Sequence, residues 1–246
     1  MAALLLIADS HVRPENDSRI EFMQMLDRIS RTPHDVCFLG DILELWFGLS
    51  RYDNGVTTAF LDWCRREKSR RSVYLVEGNH EFFVAQRHHG CFTKCGRNVL
   101  PLGNGLVVAH GDIVAPWYSG HRIFRLLTKN WLTRLALMFV PGAPAMANCL
   151  KRMMEKRTLH RVFVFPSGQV HRFATRTLAR HGADTLLMGH FHQCRHEFLP
   201  SGKCWFTIPD WKKTRKIGLA DADGRNLRII PWRRLSAGGT GKEMKK

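Results

Sequence analysis

The chain has 246 residues, 44% hydrophobic and 24% charged, a globular balance that excludes a largely disordered or fibrous protein. Its 38 Lys and Arg against 21 Asp and Glu leave a formal charge of +17, which calls for an anionic partner: nucleic acid, an acidic membrane surface or a phosphorylated substrate. No apolar run reaches the ~18 residues of a spanning helix. Residues 1–8 lack the basic start of a signal peptide, and seven cysteines form no even framework, so reduced thiols and a cytoplasmic location are expected.

In chain order, five short apolar runs, each long enough for a buried strand and too short for a helix, end abruptly in polar or metal-ligating residues. Leu4-Leu5-Leu6-Ile7-Ala8 meets Asp9-Ser10-His11, and Val36-Cys37-Phe38-Leu39 meets Gly40-Asp41. Val73-Tyr74-Leu75-Val76 meets Glu77-Gly78-Asn79-His80-Glu81, and Leu106-Val107-Val108-Ala109 meets His110-Gly111-Asp112. Thr185-Leu186-Leu187-Met188 meets Gly189-His190-Phe191-His192. Predicted helices at 19–30, 57–66 and 169–181 alternate with these runs, which implies a layered α/β fold with its site at the strand carboxyl ends. After His192 the pattern turns to strands at 205–208, 217–220 and 227–230, and residues 236–246 read as a loose Gly/Lys-rich tail after a domain of residues 1–235.

His190 lies 80 positions after His110, against about 30 to 40 between the earlier strand ends. Within them, residues 117–165 hold nine Lys or Arg and one acid, Glu155, and so carry +8 of the charge. Ile123, Leu126, Leu127, Trp131 and Leu135 form an apolar stripe at helical period, Pro141-Gly142-Ala143-Pro144 breaks it, and a second helix is expected over 146–154. This segment, about 113–168, reads as an inserted helical cap.

Gathered from the strand ends, Asp9, His11, Asp41, Asn79, His80, His110, His190 and His192 offer carboxylate, imidazole and amide groups without a thiolate. Such donors suit borderline divalent ions such as Mn²⁺, Fe²⁺ or Zn²⁺. They are too many for one tetrahedral ion and suit two ions sharing a carboxylate, an arrangement that neutralises a phosphoryl group during in-line displacement. Unrelated surface turns would not place polar groups after five buried strands. Glu44, Glu81 and Asp112 are expected to orient ligands.

Asp9-x-His11, Gly40-Asp41-x-x-Glu44, Gly78-Asn79-His80-Glu81, His110-Gly111-Asp112 and Gly189-His190-x-His192 resemble, in order, the five motifs of the calcineurin-like metallophosphoesterases. The resemblance implies an α/β fold, a β-sandwich flanked by helices. It also implies one metal held by Asp9, His11 and His192, a second by Asn79, His110 and His190, with Asp41 between them and His80 as a donor to phosphate. Asp41, Asn79 and His80 are then the catalytic residues. The run Gly40-Asp41-Ile42-Leu43-Glu44-Leu45-Trp46-Phe47-Gly48 and the insert are similar to the UDP-2,3-diacylglucosamine diphosphatases of lipid A synthesis. That similarity implies two divalent metals, a cap for acyl chains, and hydrolysis to 2,3-diacylglucosamine 1-phosphate and UMP at the cytoplasmic face of the inner membrane, reached by peripheral contact. Tyr118, Arg125 and Arg157 are the expected substrate contacts in the cap. A nuclease of the same superfamily is the second choice, since +17 suits nucleic acid equally. A non-catalytic scaffold would have lost ligands that this chain retains.

Overall fold

The first apolar run forms strand β1, Leu4–Ile7, in a computed structural model that describes residues 3–114, 131–139 and 164–236. Every residue of β1 is buried because the strand packs on both faces. Helix α1 (Ser18–Ser30) follows, then β2 (Asp35–Phe38), β3 (Trp46–Phe47), α2 (Gly55–Lys68), β4 (Val73–Val76), β5 (Glu81–Phe82), α3 (Val84–Arg87), β6 (Lys94–Gly96), β7 (Val99–Gly103) and β8 (Leu106–Ala109). The second half holds α4 (Trp131–Phe139), α5 (Ser167–His181), β9 (Thr185–Met188), β10 (Arg195–Phe198), β11 (Cys204–Thr207), α6 (Trp211–Thr214), β12 (Lys216–Ala220) and β13 (Leu227–Pro231).

Two sheets face each other. One has the order β13-β12-β1-β2-β4-β6 and the other β10-β11-β9-β8-β7, with β1, β2 and β4 mutually parallel and β8 parallel to β9. Strand alternation sorts the side chains into layers. Leu4, Leu6, Cys37, Leu39, Val108 and Leu187 meet in the core between the sheets. Leu5, Ile7, Val36 and Phe38 point the other way, onto Phe22, Met25 and Ile29 of α1 and Phe60 of α2. Val107, Leu186 and Met188 point outward from the second sheet onto Val170, Ala174 and Leu178 of α5. Burying one such side chain contributes about 1.5–3 kcal/mol, so both strand faces are held. This four-layer arrangement is the expected α/β sandwich flanked by helices.

The helices begin and end for local reasons. Asn54 accepts the backbone N–H groups of Val56 and Thr57 at 3.0 and 3.1 Å and starts α2 two residues before the apolar pattern does. Gly182, at φ +58°, closes α5 in the left-handed conformation. Strands β6, β7 and β10 are not among the apolar runs of the sequence. All three lie at or beside sheet edges where one face meets solvent, as in the largely exposed β10.

Of the cap expected at about 113–168, most lies outside the described residues, including the helix expected over 146–154. Within it α4 is helical and exposes Leu132, Leu135, Met138 and Phe139. Its Met138 carbonyl accepts from Arg51 Nη1 at 2.8 Å. Apart from Ser236, the expected tail is outside the described residues too. No described helix is long and apolar enough to cross a membrane.

Candidate metal centre

The loops after β1 and β2 run on side by side: Asp9 N donates to Gly40 O at 3.1 Å, His11 N to Asp41 O at 2.9 Å and Val12 N to Ile42 O at 2.9 Å. Asp9, His11, Asp41, His190 and His192 all have positive φ, between 42 and 67°. Each left-handed residue costs about 1 kcal/mol or more, and Asp and His tolerate the conformation better than most side chains. Five such residues at the ends of three strands turn their side chains toward one point, a strain characteristic of functional sites. Gly40 (φ +85°) and Gly78 let the loops close, since a Cβ on Gly40 would lie 2.7 Å from His110 Nδ1 and one on Gly78 2.7 Å from Asp41 N.

Asp41 is the centre of the arrangement. Its Oδ1 accepts His80 N at 2.8 Å, while Oδ2 faces His110 Nε2 at 3.4 Å, His11 Nε2 at 3.8 Å and His80 Nε2 at 3.9 Å. On one side, Asp9 Oδ2 accepts His190 N at 2.8 Å, and Asp9 Oδ1 lies 3.4 Å from His192 Nε2. On the other, His110 Nε2 lies 3.3 Å from Asn79 Oδ1 and 3.2 Å from His190 Nδ1. All eight residues named from the strand ends are thus brought together.

The donor set fits divalent cations. Two donors held about 2.0–2.2 Å from one small ion lie about 3–3.5 Å apart, the spacing of His110 Nε2 from Asp41 Oδ2, Asn79 Oδ1 and His190 Nδ1 and of Asp9 Oδ1 from His192 Nε2. Among the described residues, Asp9 Oδ1 and His11 Nδ1 are buried without a hydrogen-bond partner, and a cation at Asp9 would relieve the costly state of its oxygen. His110 Nδ1 donates to Leu39 O at 2.6 Å, which leaves the Nε2 lone pair for a metal. Groups of donor atoms close enough for one ion are Asp9, His11 and His192; Asp41, His110 and His190; and His11, Asp41 and His80.

The electrostatics agree with a cation. Burial opposes ionisation of Asp9 and Asp41, yet the imidazoles around them hold both below the usual carboxylate range. Burial also opposes charge on His110, but the Asp41 carboxylate draws its pKa up to about 10. Burial, with the charge of His80 on one and His110 on the other, pushes His11 down to about 3 and His190 down to about 4. Burial likewise opposes charge on His192, yet its hydrogen bond to Asp9 shifts its pKa upward, so the two carboxylates draw positive charge onto His110 and His192, charge that divalent ions would replace.

Glu81 has the orienting role read from the sequence. Fully buried, it accepts Asp41 N and Gly78 N on Oε2 and Ile42 N on Oε1, each at 2.8 Å, tying the loops after β2 and β4 together. Burial and then the Asp41 charge push its pKa up to about 8, against these bonds. Glu44 is buried between Arg13 and Lys212, and its carbonyl accepts His80 Nδ1 at 2.5 Å. Asp112 is buried, with its charge felt by His110 and His190. The expected contacts Tyr118, Arg125 and Arg157 lie outside the described residues.

Three site neighbours were not singled out in the sequence: Arg13, Asp210 and Lys212. Asp210 Oδ1 lies 3.9 Å from His192 Nδ1, and Lys212 N donates to Asp9 O at 3.2 Å. The signal was present, because Cys204–Thr207 is a buried apolar run that also ends in an acid, Asp210.

The sequence matches the family model for calcineurin-like phosphoesterases over residues 2–194. The chain belongs to that family. This calcineurin-like phosphoesterase is accordingly a metal-dependent hydrolase, and its family binds divalent metals. It is 29% identical over 237 residues to a UDP-2,3-diacylglucosamine hydrolase of Pseudomonas putida, covering 90% of this chain and 92% of that protein. A protein of the same name from Xanthomonas axonopodis pv. citri is 23% identical over 244 residues, covering 91% and 97%. Among solved structures, a Vps29 variant of Entamoeba histolytica matches with a TM-score of 0.44 at 14% identity, over 92% of this chain and 89% of that one.

Proposed function

We propose that this phosphoesterase hydrolyses the diphosphate of a nucleotide-linked lipid, UDP-2,3-diacylglucosamine or a close relative, to 2,3-diacylglucosamine 1-phosphate and UMP. The observation that carries the chemistry is the convergence of His110, His11 and His80 nitrogens on Asp41 Oδ2 at 3.4 to 3.9 Å. In this reading Asp9, His11 and His192 hold one ion, Asn79, His110 and His190 hold another, and Asp41 serves both. Two divalent ions, Mn²⁺ in preference to Fe²⁺ or Zn²⁺, supply neutralisation of the phosphoryl charge and acidify water.

The protein's own groups do the rest. Glu81 holds the Asp41 loop rigid, so the carboxylate needs no reorganisation during turnover. His80 Nδ1 is committed as a donor to the Glu44 carbonyl, so Nε2 donates to a phosphoryl oxygen only when the ring carries a second proton. Asp210 faces His192 Nδ1 and favours the orientation that presents Nε2 toward Asp9.

The substrate class is supported by the name and the end-to-end coverage of the Pseudomonas relative. It is supported also by the +17 charge and by α4, whose exposed Leu132, Leu135, Met138 and Phe139 suit an acyl chain. The same features support the further proposal of peripheral contact with an anionic membrane, at the cytoplasmic face in this reading. Incubation of the protein and Mn²⁺ with UDP-2,3-diacylglucosamine, DNA, RNA and a phosphoprotein tests the reading. Release of UMP from the lipid nucleotide is the expected result; salt-sensitive cleavage of nucleic acid with an untouched lipid nucleotide would overturn it.

A further inference from the structure

We propose that Arg13 and Lys212 form an anion clamp at the Asp9–His11–His192 end of the centre, which engages the phosphate of a diphosphate diester that is not under attack. This rests on the diphosphate-hydrolase reading and names the side chains that recognise the second charge.

Three loops build the clamp. Arg13 follows His11 by two residues after β1, Glu44 lies on the loop after β2, and Lys212 is on α6, its backbone N–H on Asp9 O at 3.2 Å. Arg13 Nη2 reaches Glu44 Oε1 at 3.0 Å, and Lys212 Nζ reaches Glu44 Oε2 at 3.3 Å. One carboxylate thus gathers a guanidinium and an ammonium at the same point. Solvent meets the cations and not the anion, since the Arg13 and Lys212 side chains are 35% and 42% exposed against 9% for Glu44. A substrate arriving over the centre therefore encounters a guanidinium and an ammonium already held in place.

The chemistry suits a second phosphate. A phosphoryl group under attack is neutralised by the ions of the centre, but the adjoining phosphate of a diphosphate carries its own charge and needs its own partners. Arg provides a planar fork of donors and Lys a point charge, the pair used to recognise phosphate. Glu44 pre-positions both, which lowers the entropy lost on binding. Burial opposes its ionisation, yet the Arg13 hydrogen bond and nearby cations bring its pKa down to about 2, so the scaffold stays charged at neutral pH. A mere staple joining three loops would instead affect folding and metal content, with no preference among substrates.

The test compares wild type with Arg13→Gln, Lys212→Gln, the double variant and the charge-retaining Lys212→Arg, each checked for metal content by elemental analysis. One readout is the ratio of kcat/KM for a UDP-linked diphosphate diester to that for bis(4-nitrophenyl) phosphate, which has no second phosphate. The other is the Kd, by calorimetry, of a methylene-bridged diphosphonate analogue that cannot be cleaved. The ratio should fall, and the Kd rise, about tenfold for each cation removed, the size of one charge-assisted hydrogen bond. Lys212→Arg should restore most of the loss. An unchanged ratio and Kd in the double variant would overturn the clamp, as would equal losses on both substrates accompanied by loss of metal. A wild-type protein that cleaves the aryl diester but no diphosphate diester overturns the diphosphate-hydrolase reading itself, an outcome visible before any variant is made.

Discussion

His110 Nε2 lies 3.4 Å from Asp41 Oδ2, although the two residues leave strands of different sheets. Asp41 follows β2 in the six-stranded sheet and His110 follows β8 in the five-stranded one, so the centre exists only while the sheets are packed. Metal affinity and inter-sheet packing are therefore linked: ions that bind the native state stabilise it by mass action.

Asp41→Ala should lower kcat by about a thousandfold and remove most of the bound metal, since one carboxylate oxygen faces three imidazoles. Elemental analysis alongside turnover checks this. Full metal content with near-normal turnover would refute the placement of Asp41 between two ions.

For His80→Ala the expected outcome is different. Its Nδ1 is held by the Glu44 carbonyl and its Nε2 lies 3.9 Å from Asp41 Oδ2. As a donor to phosphate it should cost about 10²–10⁴ in turnover and leave the metal in place. Metal loss as large as that of Asp41→Ala would make His80 a ligand, in the His11, Asp41 and His80 grouping.

Glu81→Ala strands three buried N–H groups, those of Asp41, Ile42 and Gly78. The expected cost is about 3–5 kcal/mol of stability by urea unfolding, accompanied by weaker metal binding. A loss below about 1 kcal/mol would mean that the loops hold themselves without the carboxylate.

Glu44 sets a pH dependence. Its pKa is about 2 in the folded protein against an ordinary 4.5, so its contribution to stability is present above 4.5 and is lost as pH falls through about 2. The melting-temperature difference between wild type and Glu44→Gln should accordingly be constant above pH 5 and shrink toward pH 2. A difference that widens on acidification would reverse the sign of the shift.

The six described cysteines are free thiols, with Cys194 exposed, Cys95 half-buried and Cys37, Cys64, Cys91 and Cys204 buried. Among these, Cys194 should be alkylated first in the native protein, and the four buried thiols only after denaturant is added. Peptide mapping by mass spectrometry reads the order directly.

The central strands and the polar residues that end them were legible in the chain itself. Val73–Val76, Leu106–Ala109 and Thr185–Met188 are continuous apolar runs because each is covered on both faces, and a doubly covered strand must be apolar throughout. Edge strands such as Arg195–Phe198 carry no such signal, since one face meets water and polar residues are tolerated there. Which ligands share an ion was likewise beyond composition and spacing. Asp9 and His192 are 183 positions apart in the sequence, and their 3.4 Å approach depends on β1 and β9 packing in opposed sheets. Arg13, Glu44 and Lys212 show the same division most plainly. Glu44 was readable as a residue that orients ligands, but Arg13 and Lys212 read as ordinary surface charges, and only the folded chain places both cations on that carboxylate, because proximity across a chain is set by packing and not by sequence order.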